Sequence, residues 1–201
     1  MTSNADILSI SWQAFKANGL ITFGLVVLHG VLTSILGNVA FGLGSLLLSG
    51  ALSYGFSRTM VQVYRGQTPA LNTYFDGFQR YVDTLVATLL IGVIVVVGLV
   101  FLIIPGIIAA IGLSQVFYVL QDRDDLDAIG AIKESWRLVW TNGHMWKVFF
   151  MGFLMLFVLI LGLLALGLGL LVAIPLISVM GAGLYEEIKR ADATGGPVHF
   201  T

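Results

Sequence analysis

Along this chain, charge and apolarity alternate in long blocks. Three stretches, Ala17 to Ser57, Thr84 to Gln121 and Val148 to Tyr185, contain no Asp, Glu, Lys or Arg over 41, 38 and 38 residues. At about 1.5 Å of rise per residue, a helix of the middle stretch's length would extend about 57 Å, nearly twice a hydrocarbon core of ~30 Å. Each stretch therefore predicts two crossings. In the middle one the chain is expected to reverse at Pro105-Gly106, because proline withholds a backbone donor and glycine accepts turn conformations. The other two are expected to turn near Gly37-Asn38 and Gly167-Gly169.

The charged connections, Arg58 to Asp83 and Asp122 to Lys147, are 26 residues each. Block edges recur every 64 residues, from Arg58 to Asp122 to Glu186 and from Asp83 to Lys147. Such a period is the signature of repetition and predicts units at about residues 1–65, 66–125 and 126–201 of a single membrane domain. A short segment of helical periodicity precedes each uncharged run: Ile7, Leu8, Trp12 and Phe15; Leu71, Tyr74, Phe75, Phe78, Tyr81 and Val82; Ile129, Ile132, Trp136, Val139 and Trp140. The first and third share Ser11-Trp12-x-x-Phe15-x-x-Asn18-Gly19 and Ser135-Trp136-x-x-Val139-x-x-Asn142-Gly143. Thr68-Pro69 is expected to cap the middle segment and Asp124-Asp125 the third. The predicted fold is all-α and polytopic, with six transmembrane helices as three helical hairpins, each preceded by an amphipathic interfacial helix.

Small residues recur at four-residue spacing on the second arm of each hairpin: Ser45, Ser49, Ser53 and Ser57; Gly106, Ala110 and Ser114; Ser178 and Ala182. Because apolar burial cannot drive association inside lipid, these ladders are expected to pack the three second arms around a common axis with the first arms outside. Small residues are also simply frequent in membrane helices.

Composition supports the membrane reading. Hydrophobic residues make up 58% of the chain and charged ones 10%, with a mean hydropathy of +0.96, too few charges to cover a water-facing surface. The ten basic and eleven acidic residues leave a net charge of −1, which favours no nucleic-acid partner. If each uncharged run crosses twice, every Lys and Arg lies on one side, so both termini are expected in the cytoplasm and the protein in the cytoplasmic (inner) membrane. The first sixteen residues carry only Asp6 and Lys16, and no cleaved leader is expected. Cysteine is absent, which removes thiolate metal sites and a cysteine nucleophile.

Candidate chemistry is sparse. His29, near Thr33 and Ser34, is the ionisable group inside an uncharged run, and a neutral imidazole hydrogen-bonded within the bundle outweighs a proton relay. With His144 and His199 it forms no metal-ligand spacing. Asp122-Arg123-Asp124-Asp125-Leu126-Asp127 lacks the turn glycine and closing glutamate of a calcium loop, so helix capping is the better account. Arg58 suits either a lipid phosphate or snorkelling to the interface. Glu186, Glu187, Lys189 and Arg190 are expected to form a solvated collar. No catalytic, cofactor-binding or metal-binding residue is predicted, and no enzyme.

Ile103-Ile104-Pro105-Gly106-Ile107-Ile108, an arm ending Val119-Leu120-Gln121-Asp122, and Ala131-Ile132-Lys133-Glu134-Ser135-Trp136-Arg137-Leu138-Val139-Trp140 with Asn142 resemble the YciC-like family of uncharacterised bacterial inner-membrane proteins. They are similar also to the membrane domain beside some glycerophosphodiester phosphodiesterases, although no hydrolase domain is present and no phosphodiesterase activity carries over. The resemblance implies a polytopic inner-membrane protein. The expected function is a non-enzymatic scaffold or lipid-interacting module whose partners are membrane lipids. The alternative is a small channel or transporter, against which the scarcity of polar residues in the uncharged runs counts. Short arms also allow re-entrant wedges, but a turn buried in hydrocarbon would leave carbonyls unpaired.

Overall fold

The computed structural model describes residues 3–38, 43–101, 103–141, 143–165 and 169–194. Asn142, Gly167 and His199, singled out above, lie outside them. Among the described residues all regular structure is helical. Helix α1 spans Asn4–Asn38, α2 Leu43–Tyr64, α3 Tyr81–Phe101, α4 Ile103–Leu113, α5 Val116–Asp122, α6 Ala128–Trp136, α7 Met145–Leu164 and α8 Leu170–Ala193. A 3₁₀ helix at Leu71–Phe78 precedes α3, and a π turn at Arg137–Thr141 follows α6.

Among the described residues, five segments are long and apolar enough to cross a membrane: Asn4–Asn38, Tyr81–Val100, Ile104–Asp122, Met145–Leu164 and Leu170–Ala193. This is the pattern of a multi-pass membrane protein. Helix α2 is not among them, and its surroundings show how its composition is accommodated. It packs against α1, α3, α5, α8 and the 3₁₀ helix, and residues along its length, including Leu52, Tyr54, Met60 and Val63, are buried. A helix whose second half is covered by other helices accommodates Arg58 and a row of serines, while Leu46 and Leu47 near its start keep exposed side chains.

Helix α1 begins with a reciprocal cap: the Ser3 amide donates to Asp6 Oδ2 at 2.8 Å and the Asp6 amide to Ser3 Oγ at 3.1 Å. The expected first amphipathic segment is continuous with the apolar arm behind it. The two meet at a kink, where Asn18 has φ −122° and ψ 25° and its side-chain oxygen accepts from the Thr68 hydroxyl at 3.1 Å.

Several local expectations are corrected. Pro105-Gly106 does not form the turn; both residues lie in the first turn of α4, a position that tolerates proline because early helical amides lack partners anyway. Gly106 instead allows close packing, since a Cβ on Gly98 of α3 would stand 2.9 Å from the Gly106 Cα. The middle segment is 3₁₀ rather than α-helical. Its N-cap is Ala70 with no side-chain bond, so Thr68-Pro69 does not cap it. Helix α6 is capped by Asp127, whose Oδ1 accepts from the Gly130 amide at 2.7 Å, and not by Asp124-Asp125.

The small-residue ladders are also redrawn. Ala110 and Ser114 are exposed, lining a groove with Val148, Phe149 and Gly152 of α7. On α2 the tight contacts are made at Gly50, against α3, and at Ala51 and Gly55, one turn apart, against the 3₁₀ helix. A Cβ on Gly50 would strike the Thr84 carbonyl, one on Gly55 the Tyr74 carbonyl, and one on Gly77 the Ala51 carbonyl. Ser49 and Ser53 are only half-buried. The second arms do meet: α2 packs against both α5 and α8, and the rings of Tyr118 on α5 and Tyr185 on α8 stack at 5.6 Å.

The Ser-Trp pattern of the third segment has a packing explanation. Ser135, fully buried, donates to the Gly112 carbonyl at 2.7 Å, and a side chain at Gly112 would collide with the rings of Trp136 and Trp140. Gly112 thus gives its carbonyl to a side chain where a continuous helix would use the Val116 amide, and the helix breaks between α4 and α5. In the first segment, Ser11 is equally buried but its hydroxyl has no partner among the described residues.

Candidate functional site

Two groupings of polar side chains stand out, one at the charged end of the bundle and one within its apolar body. At the charged end, the last residues of α2, α5 and α8 converge. Arg65 lies 2.5 Å from Glu186 Oε1 and 3.7 Å from Asp122 Oδ1, while Lys189 reaches Asp122 Oδ2 at 2.5 Å and the Tyr185 hydroxyl donates to it at 3.1 Å. Residues at the period-related edges, Asp122 and Glu186, therefore share one guanidinium. Burial disfavours the Arg65 charge, but its two carboxylate partners more than restore it and hold its pKa above the ordinary value.

Arg80, just ahead of α3, ties the start of that helix to the end of α5 and to the loop before α6. Its guanidinium donates to the carbonyls of Leu120 at 2.9 Å and Arg123 at 3.2 Å, to that of Leu126, and to Asp83 at 2.8 Å. It serves as a cationic cap where the α5 carbonyls run out of helical donors. Arg123 pairs with Asp125 through two bonds of 2.8 Å, and that guanidinium pulls the Asp125 carboxyl down to about 2. Arg137 likewise binds Glu134 and, at 2.8 Å, Asp192 of α8, and its hydrogen bonds hold the Glu134 carboxyl below its usual range. Arg58 pairs with Asp76 of the 3₁₀ helix at 3.2 Å.

The solvated collar expected at the end of α8 is corrected on one side. Glu186 and Glu187 are each only 5% exposed, covered by neighbouring helices, whereas Lys189 and Arg190 keep exposed side chains. Among the described residues, no group of His, Asp and Glu is arranged to hold a metal ion.

The second grouping contains His29. Its Nδ1 is 2.8 Å from the Tyr74 hydroxyl, and its ring stacks on Phe56 at 4.4 Å, so the imidazole is hydrogen-bonded within the bundle as the sequence suggested. Tyr74 was legible as an aromatic on one face of its segment but not as the partner of His29. A sequence separation of 45 hides a contact that depends on Gly55 letting the 3₁₀ backbone lie against α2. Burial pushes the Tyr74 phenol well above its ordinary pKa. Beside His29 opens a cavity of about 390 Å³ between α1 and α8, lined chiefly by apolar side chains. His144 is also buried, with Nδ1 2.8 Å from the Leu138 carbonyl.

Residues 91–192 match a family described as protein of unknown function, DUF975. The chain belongs to this family. The match runs from within α3 to near the end of α8, so it includes Asp122, Glu186 and Lys189 but not Arg65, His29 or Tyr74. An uncharacterised family was the expectation; the YciC-like name and the phosphodiesterase-associated domain are not part of this match. No curated protein and no solved structure gives a significant match.

Proposed function

We propose that the chain is a non-enzymatic, lipid-interacting scaffold of the cytoplasmic membrane, crossing six times as three hairpins with its charged end and both termini in the cytoplasm. The observation that carries this reading is the layer centred on Arg65. It ties the ends of α2, α5 and α8 together, while α3 and α7 turn side chains such as Val93, Val97, Phe153 and Phe157 outward. Charges held in mutual pairs at one end and apolar surface along the rest suit a plate anchored at one leaflet. The sixth crossing is assigned to α2, shielded from lipid by its neighbours. Threefold sequence repetition in units of about 1–65, 66–125 and 126–201 fits the recurrence of Asp122 and Glu186 around Arg65.

The segments before the apolar runs belong at the headgroup boundary. Leu71, Phe75 and Phe78 of the 3₁₀ helix and Ile129 and Trp136 of α6 are exposed on the outside, as interfacial anchors are. The channel or transporter alternative gains no support, because the region where the second arms meet is filled by Tyr118, Tyr185, Met60 and Met180. Hydrogen exchange in lipid nanodiscs tests the reading: amides of residues 71–78 and 128–141 should exchange at least about tenfold more slowly than in short peptides of the same sequence. Exchange at the peptide rate would refute an anchored plate.

A further inference from the structure

The cavity beside His29 has an unusual lining for a site inside an apolar body. Phe23, Val26 and Val27 of α1, Phe56 of α2, and Leu171 and Ile174 of α8 supply most of its wall. Ser178 also lines it, but its hydroxyl hydrogen is already given to the Ile174 carbonyl at 2.9 Å, which leaves it only as an acceptor. His29 keeps a free function. Its Nδ1 meets Tyr74, and among the described residues no partner meets Nε2. A second function comes from Pro175, which has no amide hydrogen, so the Leu171 carbonyl one turn earlier lacks its helical donor. Both residues line the same cavity.

These features define the occupant. The cavity lies between segments apolar enough to cross a membrane, so what enters it comes from the bilayer. Among the described residues no charged side chain lines it, which disfavours an ionic headgroup. A hydroxyl both donates and accepts, so it satisfies Nε2 in either tautomer of His29, and where Nε2 carries the hydrogen the hydroxyl keeps its own for an acceptor such as the Leu171 carbonyl. We infer that the α1–α8 cavity binds a neutral, hydroxyl-bearing lipid, its apolar body among Phe23, Val27, Phe56 and Ile174 and its hydroxyl on His29 Nε2. This rests on the lipid-embedded reading above and adds the chemical class of lipid and its place.

The test compares 1-hexadecanol with hexadecane, equal in chain length and differing in one hydroxyl, added to the full chain labelled with nitrogen-15 histidine in detergent. Hexadecanol should move the His29 Nε2 resonance and half-saturate at a mole fraction about three- to tenfold lower than hexadecane, the discrimination of one hydrogen bond. His29→Phe, followed through carbon-13-labelled Ile174 of the cavity wall because the histidine reporter is gone, should erase that preference. Because His29→Phe also strips Tyr74 of its partner, Gly30→Leu provides the second arm: a Cβ at Gly30 meets nothing within 4 Å, so a larger side chain fills the cavity without disturbing the His29–Tyr74 bond. Gly30→Leu should abolish the hexadecanol response. Equal responses to alcohol and alkane, or a response undiminished by Gly30→Leu, would overturn the assignment. Such a failure is separable from failure of the scaffold reading, which hydrogen exchange in nanodiscs decides without any added ligand.

Discussion

At the scale of single residues, the fold depends on places where a side chain would be one atom too many. Gly55 is the sharpest case, because the Tyr74 carbonyl occupies the space a Cβ would need, and backbone yields far less readily than a flexible side chain. Gly55→Ala should therefore destabilise the protein by at least about 1–3 kcal/mol in thermal unfolding in detergent, and should disturb the His29–Tyr74 contact with it. Ser53→Ala, at a half-buried position two residues away, should be close to neutral; equal losses from the two would contradict this account of the α2 face. The ladder of serines drew attention to the correct helix, and Ser57 is buried, but Ser49 and Ser53 are only half-buried and the closest backbone approaches fall at Gly50 and Gly55, since four-residue spacing alone does not say which positions meet a neighbour's backbone.

Charged residues at this scale give a pH dependence with a defined sign. Asp125 and Glu134 have folded-state pKa values below their ordinary 3.8 and 4.5, each held down first by hydrogen bonds from an arginine. A depressed carboxyl contributes its stability in full above its unfolded value and loses it as pH falls through the folded value. Unfolding temperature should thus be flat above about pH 5 and fall toward pH 2, while Glu134→Gln should flatten part of that fall. An acid-insensitive wild type would contradict the Arg123–Asp125 and Arg137–Glu134 pairs.

At the scale of elements, the ends of α2, α5 and α8 are joined chiefly through Arg65 and Lys189. Removing Arg65 leaves the buried Glu186 carboxylate without its closest cation, whereas removing both partners leaves no orphan. In a double-mutant cycle of Arg65→Ala and Glu186→Ala, the coupling should be about 1–2 kcal/mol, less than for a fully buried pair because Arg65 is partly exposed. Additive losses would mean that the contact contributes nothing specific. Block lengths in the sequence located most helices well, because hydrocarbon thickness fixes how long an uncharged helix must be. Ends were less legible. Proline at 105 reads equally as a breaker or as a first-turn residue, and four carboxylates between Asp122 and Asp127 offer several caps from which tertiary packing selects Asp127.

At the scale of the whole molecule, the sequence showed that charges alternate with apolar stretches but not which helix would be shielded. Hydropathy reads composition and not surroundings, so α2, which carries Arg58 and four serines, falls below the five candidate spans whatever its neighbours cover. The His29 cavity was out of reach for a related reason: it joins residues from α1, α2 and α8 whose spacing in the chain carries no periodic signal.

The central claim is that three charge-free blocks each pass the membrane twice and keep every charged connection in one compartment. Because the chain has no cysteine, single cysteines report position without background. Labelling with a membrane-impermeant thiol reagent in oriented vesicles should modify Asn38→Cys, Ile104→Cys and Ala165→Cys from one side only, and Gln67→Cys, Asp124→Cys and Thr194→Cys from the other. Modification of any of the first three from the same side as Gln67→Cys would contradict the six crossings.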